Sequence, residues 1–341
     1  MNRPAIFFVL LSLIFCSPQT VKQAISQDGN VSHISYTEQE LVSFLDSIGS
    51  LNPDSWTKEL SFLVDSTLES QVNLNRKLGT AELDKLENAI ENNEIGLDFA
   101  KQIFPEVALD TTYTSYFTDG YLPIKRYQFT KELNEFAVLV GYEGSWENDI
   151  YFFKGNTIIA KHHIYYRYGF YPSHFKNENN ETVVYYTVCY GSGSGIWWHQ
   201  YNFYTYKGNS LLPILTVPQN INLQFPWGLR AYWIESEVTE QIPLQLKLTY
   251  SNHFFGTEEY VELINDSTVV TYSITRQNGR YVPDFSDTKM NQNKLLTYHI
   301  AENDLLFVNA HYNLLREGLN GKQRQTILKY LGELKNWINK K

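Results

Sequence analysis

Cysteine is nearly absent: Cys16 and Cys189 are the only two in 341 residues. One pair cannot build a disulfide framework, which excludes the small bridged scaffolds. The length suffices instead for one large or two ordinary domains held by their own cores. Clustered positive charge is missing as well, with 28 Lys and Arg against 37 Asp and Glu and a formal net charge of −9. A phosphate-binding surface needs clustered cations, so nucleic acid is excluded as a partner. Only one long hydrophobic run occurs, Ala5 to Phe15, and it is too short to span a bilayer.

Signatures of chemistry are also missing. The run Gly191-Ser192-Gly193-Ser194-Gly195 has no following Lys-Ser or Lys-Thr and lacks the third glycine of a dinucleotide fingerprint. Glycine, not serine, stands at its centre, so it fails as a nucleophile elbow and reads as a connection between strands. His162 and His163 are adjacent on a predicted strand, where alternation sends them to opposite faces and away from a shared ion. His174, His199 and His253 are isolated in sequence, and no helical pair of histidines or cysteine cluster is present. No metal or cofactor is expected. Cys189 lies in an apolar strand, where a thiol behaves as a small buried hydrophobe.

What is present begins with an address. Arg3, the apolar run and the polar Ser17-Pro18-Gln19-Thr20 read as an export signal over residues 1–26. Two routes of processing stay open. Leu13-Ile14-Phe15-Cys16 resembles a lipoprotein signal ending before a lipidated Cys16, although Phe15 departs from the small residue usual there. Ala24-Ile25-Ser26 offers an ordinary cleavage site instead. The expected locations are the bacterial periplasm, the outer membrane or the outside of the cell. Contact with a membrane is expected only through the N-terminal lipid.

The fold class expected is α+β. Residues 27–110 read as an α-helical subdomain. Thr37-Glu38-Gln39-Glu40 is a capping box, followed by the stripe Leu41, Phe44, Leu45 and Ile48. A second helix is expected from Asp54 through Leu68, and a third after Gly79. Residues 111–300 read as an antiparallel β-rich body of repeated meanders, in a sandwich or in blade-like sheets. Here the apolar period is two, and Tyr and Phe are concentrated.

A faint repeat supports the meanders. Tyr151 to Ile159 parallels Tyr204 to Leu212 around Lys-Gly-Asn turns, and Tyr260 to Val270 is a poorer third copy. Residues 301–341 read as a helical hairpin. Its tail from Tyr312 carries seven bases against two acids, while Thr37 to Asp110 carries fifteen acids against five bases. The basic tail reads as a solvated helix face that could dock on the acidic helices.

Two sets of side chains invite function. Trp197, Trp198, Tyr201, Trp227 and Trp233 suit stacking on sugar rings or insertion into a partner's pocket. Glu235 and Glu237 share one face of a predicted strand with Trp233, their α-carbons roughly 6.5 Å apart. Paired carboxylates are what glycoside hydrolysis uses, but such alternation also marks the wet face of a half-buried strand. The expectation is an exported, non-catalytic envelope or secreted protein that binds a glycan or a protein partner through aromatic loops. The alternatives are a hydrolase using Glu235 and Glu237, and a structural envelope lipoprotein.

Overall fold

The computed structural model describes residues 34–58, 71–104, 120–141, 147–165, 168–193, 196–223, 229–254, 262–276, 279–284 and 291–340. The export segment with Cys16, most of the second expected helix, and Trp227 lie outside them.

The described residues form a mainly β protein with two antiparallel sheets and helices on the outer faces. The smaller sheet contains β1 (Gln71–Lys77), β2 (Glu94–Gly96), β3 (Tyr121–Thr130), β4 (Glu135–Val140), β5 (Glu147–Lys154) and β6 (Thr157–Tyr165), in the order β1-β6-β5-β4-β3-β2. The larger sheet is an unbroken meander in sequence order. It runs through β7 (Ser173–Lys176), β8 (Thr182–Gly193), β9 (Ile196–Lys207), β10 (Ser210–Leu223), β11 (Arg230–Gln241), β12 (Leu244–Phe254), β13 (Glu262–Ile274) and β14 (Tyr281–Asp284).

Strand alternation sorts the cores. Phe136, Val138, Tyr151 and Phe153 turn to one face of the smaller sheet, and Ala137, Leu139, Ile150 and Phe152 to the other. The first face is covered by α2 (Thr80–Asn92) and α3 (Leu97–Ile103) through Leu86, Ala100 and Ile103. The second packs on Val184, Tyr186, Tyr204 and Tyr206 of the larger sheet, so the two sheets meet as a sandwich. Rings fill this inter-sheet core, with Tyr186 and Tyr204 stacked at 5.6 Å and Phe170 edge-on to Tyr186 at 5.0 Å. The buried Glu135 carboxylate ties the sheets together, accepting from Thr130 of β3 (3.0 Å) and Thr182 of β8 (2.5 Å).

The far face of the larger sheet carries α1 (Glu38–Gly49), α4 (Gln292–Leu296), α5 (Asp304–Ala310), α6 (Tyr312–Gly318) and α7 (Arg324–Asn339). The capping box starts α1 as expected, with Glu40 accepting from the Thr37 amide at 2.7 Å. A β-carbon on Gly49 would lie 2.5 Å from the Tyr312 ring, so glycine lets α1 approach α6. The Asn309 amide of α5 donates to the carbonyls of Ile48 (2.7 Å) and Leu51 (3.1 Å) at the end of α1. Opposite charges also meet there. Arg324 pairs with Glu38, and Arg316 and the Tyr312 hydroxyl reach Asp46 at 3.4 and 2.8 Å.

Three expectations need correction. The early helices do not stand together as a subdomain: α1 joins the C-terminal helices, whereas α2 and α3 cover the smaller sheet. β1 and β2 precede residue 111, and helix returns at α4, before residue 301. No blade-like sheets form among the described residues, because each hairpin of the meander continues the ladder of the last.

The repeat has a physical basis in its turns. Lys154 pairs with Thr157 and Lys207 with Ser210, each closing a two-residue loop whose glycine has φ of about +60° (Gly155 +60°, Gly208 +59°). One copy lies in each sheet. The third copy from Glu262 onward falls within the single strand β13 and makes no turn there.

Candidate functional site

Among the described residues one face of the larger sheet is only partly covered, and β11 shows how. Ile234 and Val238 face the helices, with buried Ser236 between them donating to the Pro218 carbonyl. Trp233, Glu235 and Glu237 therefore face the other way. The smaller sheet covers that second face only around Val184, Tyr186, Tyr204, Tyr206 and Leu211. Toward the far ends of β9 and β10 and across β11 to β13, the side chains of this face form rows.

Pairing registers define the rows. Trp197 of β9 stands opposite Asn222, Asn222 opposite Trp233, Trp233 opposite Ser251, and Ser251 opposite Asn265. The next row holds His199, Asn220, Glu235, Thr249 and Ser267. The Trp197 indole N–H donates to the Asn220 side-chain oxygen, which fixes both. Ser251 Oγ lies 3.0 Å from His253 Nε2. Tyr168, 55 % exposed, stands edge-on to His199 at 6.3 Å. Burial holds the His199 pKa below its usual value, so the ring is neutral at pH 7.

Trp197 and Trp233 are two strands apart, roughly 9.5 Å. Between them stands the buried Asn222, with Asn220 beside it in the next row and Ser251 beyond Trp233. The arrangement is a flat platform with two indoles and hydrogen-bonding groups of both senses.

Of the five aromatic residues singled out in the sequence, Trp197 and Trp233 come together here. Trp198 and Tyr201 do not; both pack on the helix-side core, Tyr201 edge-on to Tyr185 at 5.7 Å. Register shifts in β8 and β10 fall opposite residues 198 to 200, and such bulges re-aim neighbouring side chains. Glu235 and Glu237 are exposed on the same flat face as Trp233. Glu237 stands opposite Lys247, and Glu235 stands between Asn220 and Thr249. Asn220, Asn222, Ser251 and Tyr168 carry no signal in isolation; only the strand register brings them beside the indoles.

The histidines scatter. His162 is buried between the sheets against Phe152 and Tyr204, with Nδ1 on the Tyr186 hydroxyl, while His163 turns to the other face and meets Asp149 at 3.0 Å. His174 lies against Phe129. Among the described residues no group of three or more His, Cys, Asp and Glu side chains gathers to hold a metal.

A second polar assembly lies beneath the C-terminal helices. Arg230, its side chain 2 % exposed, donates Nε to Asp304 at 2.7 Å, Nη1 to the Tyr250 hydroxyl at 2.9 Å and Nη2 to the Ala301 carbonyl. Its guanidinium stacks over Phe307, 4.2 Å from the ring centre, and Tyr330 donates to the same Asp304 oxygen at 2.8 Å. These partners hold Arg230 charged despite its burial. Every contact is internal, so the assembly fastens α5 and α7 to β11.

No protein-family model matches the chain, and no curated protein or solved structure matches it.

Proposed function

We propose that this chain is a non-catalytic binding protein that holds a glycan on the open face of its larger sheet. One observation carries the reading: Trp197 and Trp233 share that face, two strands apart in one row, with Asn222 between them and the half-buried Asn220 in the next row. Indoles stack on the apolar faces of sugar rings, and amides and hydroxyls match ring hydroxyls. Glu235 and Glu237 add negative charge beside Trp233. A neutral or amine-bearing glycan is therefore favoured over one rich in uronate, sulfate or phosphate.

The same two glutamates give little support to a hydrolase. They lie side by side on one strand and on one side of any ligand, whereas glycosidase carboxylates flank the scissile bond. A protein partner on the indoles is the second reading, with Tyr168 extending the aromatic area. We place the protein outside the cytoplasm, by way of the apolar run that precedes Cys16. If Cys16 carries lipid, labelled palmitate fed to expressing bacteria will enter the wild-type protein and not Cys16→Ser; equal labelling of the two would end the lipoprotein form.

A panel of neutral, amino and acidic oligosaccharides tests the platform, with calorimetry on the best binder. Trp197→Ala and Trp233→Ala are each expected to weaken binding roughly 30-fold, the cost of an aromatic anchor worth about 2 kcal/mol. Trp198→Ala is expected to lower the melting temperature instead. Absence of any binder, or a binder indifferent to both platform variants, would overturn the reading.

A further inference from the structure

A cavity of about 380 Å³ lies where β13 meets α4 and the joint between α5 and α6. That volume is in the range of small-molecule sites, roughly 300–1,000 Å³. Three consecutive residues of β13 line it: Ile264, Asn265 and Asp266. Successive strand residues point to opposite faces, so a cavity that touches all three lies along the strand's edge. β14 pairs only with Thr271 to Ile274. Among the described residues, Ile264 to Val270 are paired on one side alone, by β12. Main-chain groups along such an edge suit pairing with a ligand.

The side chains make the site selective. Lys294 of α4 pairs with Asp266, and both are partly exposed in the cavity wall. An ammonium has three donors and a carboxylate about four acceptor positions, so this one contact leaves each able to bind further. A lone anion would gain Lys294 but meet Asp266, and a lone cation would suffer the reverse. A molecule carrying both charges satisfies both.

Ile264 and Leu314 supply apolar wall on either side of the pair. His311, 5 % exposed, belongs to the same wall, and its Nε2 has no partner among the described residues. Burial and the nearby Lys294 and Arg230 keep this ring neutral, with a pKa of about 3. The buried Tyr298 hydroxyl also has no partner among the described residues, and Asp266 is close enough to oppose its ionisation. Two buried polar groups thus stand unsatisfied beside an open ion pair.

We propose that this cleft binds a small zwitterion with an aliphatic body, a free amino acid or a short peptide, with its carboxylate on Lys294 and its ammonium on Asp266. This site lies along the edge of β13 and shares with the glycan platform only Asn265, at the end of the Trp197–Trp233 row.

Calorimetry on the purified full chain tests it with leucine, leucyl-leucine, N-acetyl-leucine and leucinamide. Leucine or leucyl-leucine is expected to bind, and the tighter of the two identifies the source as free amino acid or peptide. Blocking either charged end of leucine is expected to weaken binding roughly tenfold, as are Lys294→Gln and Asp266→Asn. The blocked ligands act on unaltered protein, so that comparison does not depend on the variants folding. The proposal is overturned if neither zwitterion binds at millimolar concentration, or if N-acetyl-leucine and leucinamide bind as well as leucine.

Discussion

Arg230→Ala is expected to destabilise the protein by about 3–5 kcal/mol, the cost of breaking a buried ion pair from one side. The side chain makes three hydrogen bonds, to Asp304, Tyr250 and the Ala301 carbonyl, and lies against Phe307. Its loss strips the Asp304 carboxylate of its cation and opens a hole under α5. Urea unfolding followed by tryptophan fluorescence measures the effect as a fall in midpoint at unchanged slope. Arg230→Lys keeps charge but not the planar fork, and is expected to recover only part of the loss. The double variant Arg230→Met with Asp304→Leu removes both charges and is expected to be markedly more stable than Arg230→Ala. A midpoint unmoved by Arg230→Ala would mean that this assembly does not hold the C-terminal helices to the sheet.

Mild acid is expected to remove a substantial part of the fold's stability. Burial lowers the pKa of His162 to about 3 and of His299 to about 4, and burial with two nearby cations lowers His311 to about 3. An unfolded histidine titrates near 6.5. The folded values lie below the unfolded one, so between these limits the unfolded chain binds protons that the native state refuses. Stability from these residues is therefore complete above about pH 6.5 and is lost as the pH falls toward 4. At about pH 5 the loss is roughly 2 kcal/mol for each ring and on the order of 6 for the three. Domains are commonly stable by only about 5–15 kcal/mol. Urea midpoints at about pH 7.5 and pH 5 test this, with His162→Gln and His299→Gln each flattening the dependence. Equal midpoints at the two pH values would contradict it.

Local features of this fold are legible in the sequence because their causes are local. Thr37 and Glu40 specify the start of α1 through two hydrogen bonds within four residues. Gly155 and Gly208 specify two-residue turns because their positive φ excludes most side chains. The apolar stripes of α1 and α7 mark the faces that these helices bury.

Non-local features are not legible. Val72 and Leu74 do alternate with polar residues, but β1 is a strand because it pairs with β6, some 85 positions away. Nothing beside Arg230 in the chain reveals that it is buried; its partners come from β12, the segment before α5, α5 itself and α7. At the binding platform the limit is register. Trp197 and Trp198 are neighbours of one type, and only bulges in adjacent strands decide that the first faces outward while the second joins the core with Tyr201. The carboxylates of Glu235 and Glu237 were readable as sharing a face, and the same alternation accounts for their exposure.

The glycan platform is tested most directly by following indole N–H resonances in a ¹H–¹⁵N spectrum while the best-binding oligosaccharide is added. The Trp197 and Trp233 signals, assigned by single substitution, are expected to shift together and saturably, while those of Trp56 and Trp337 on the helix side stay in place. Shifts confined to Trp56 or Trp337, or an unchanged spectrum at saturating oligosaccharide, would contradict the assignment of the open sheet face as the binding surface.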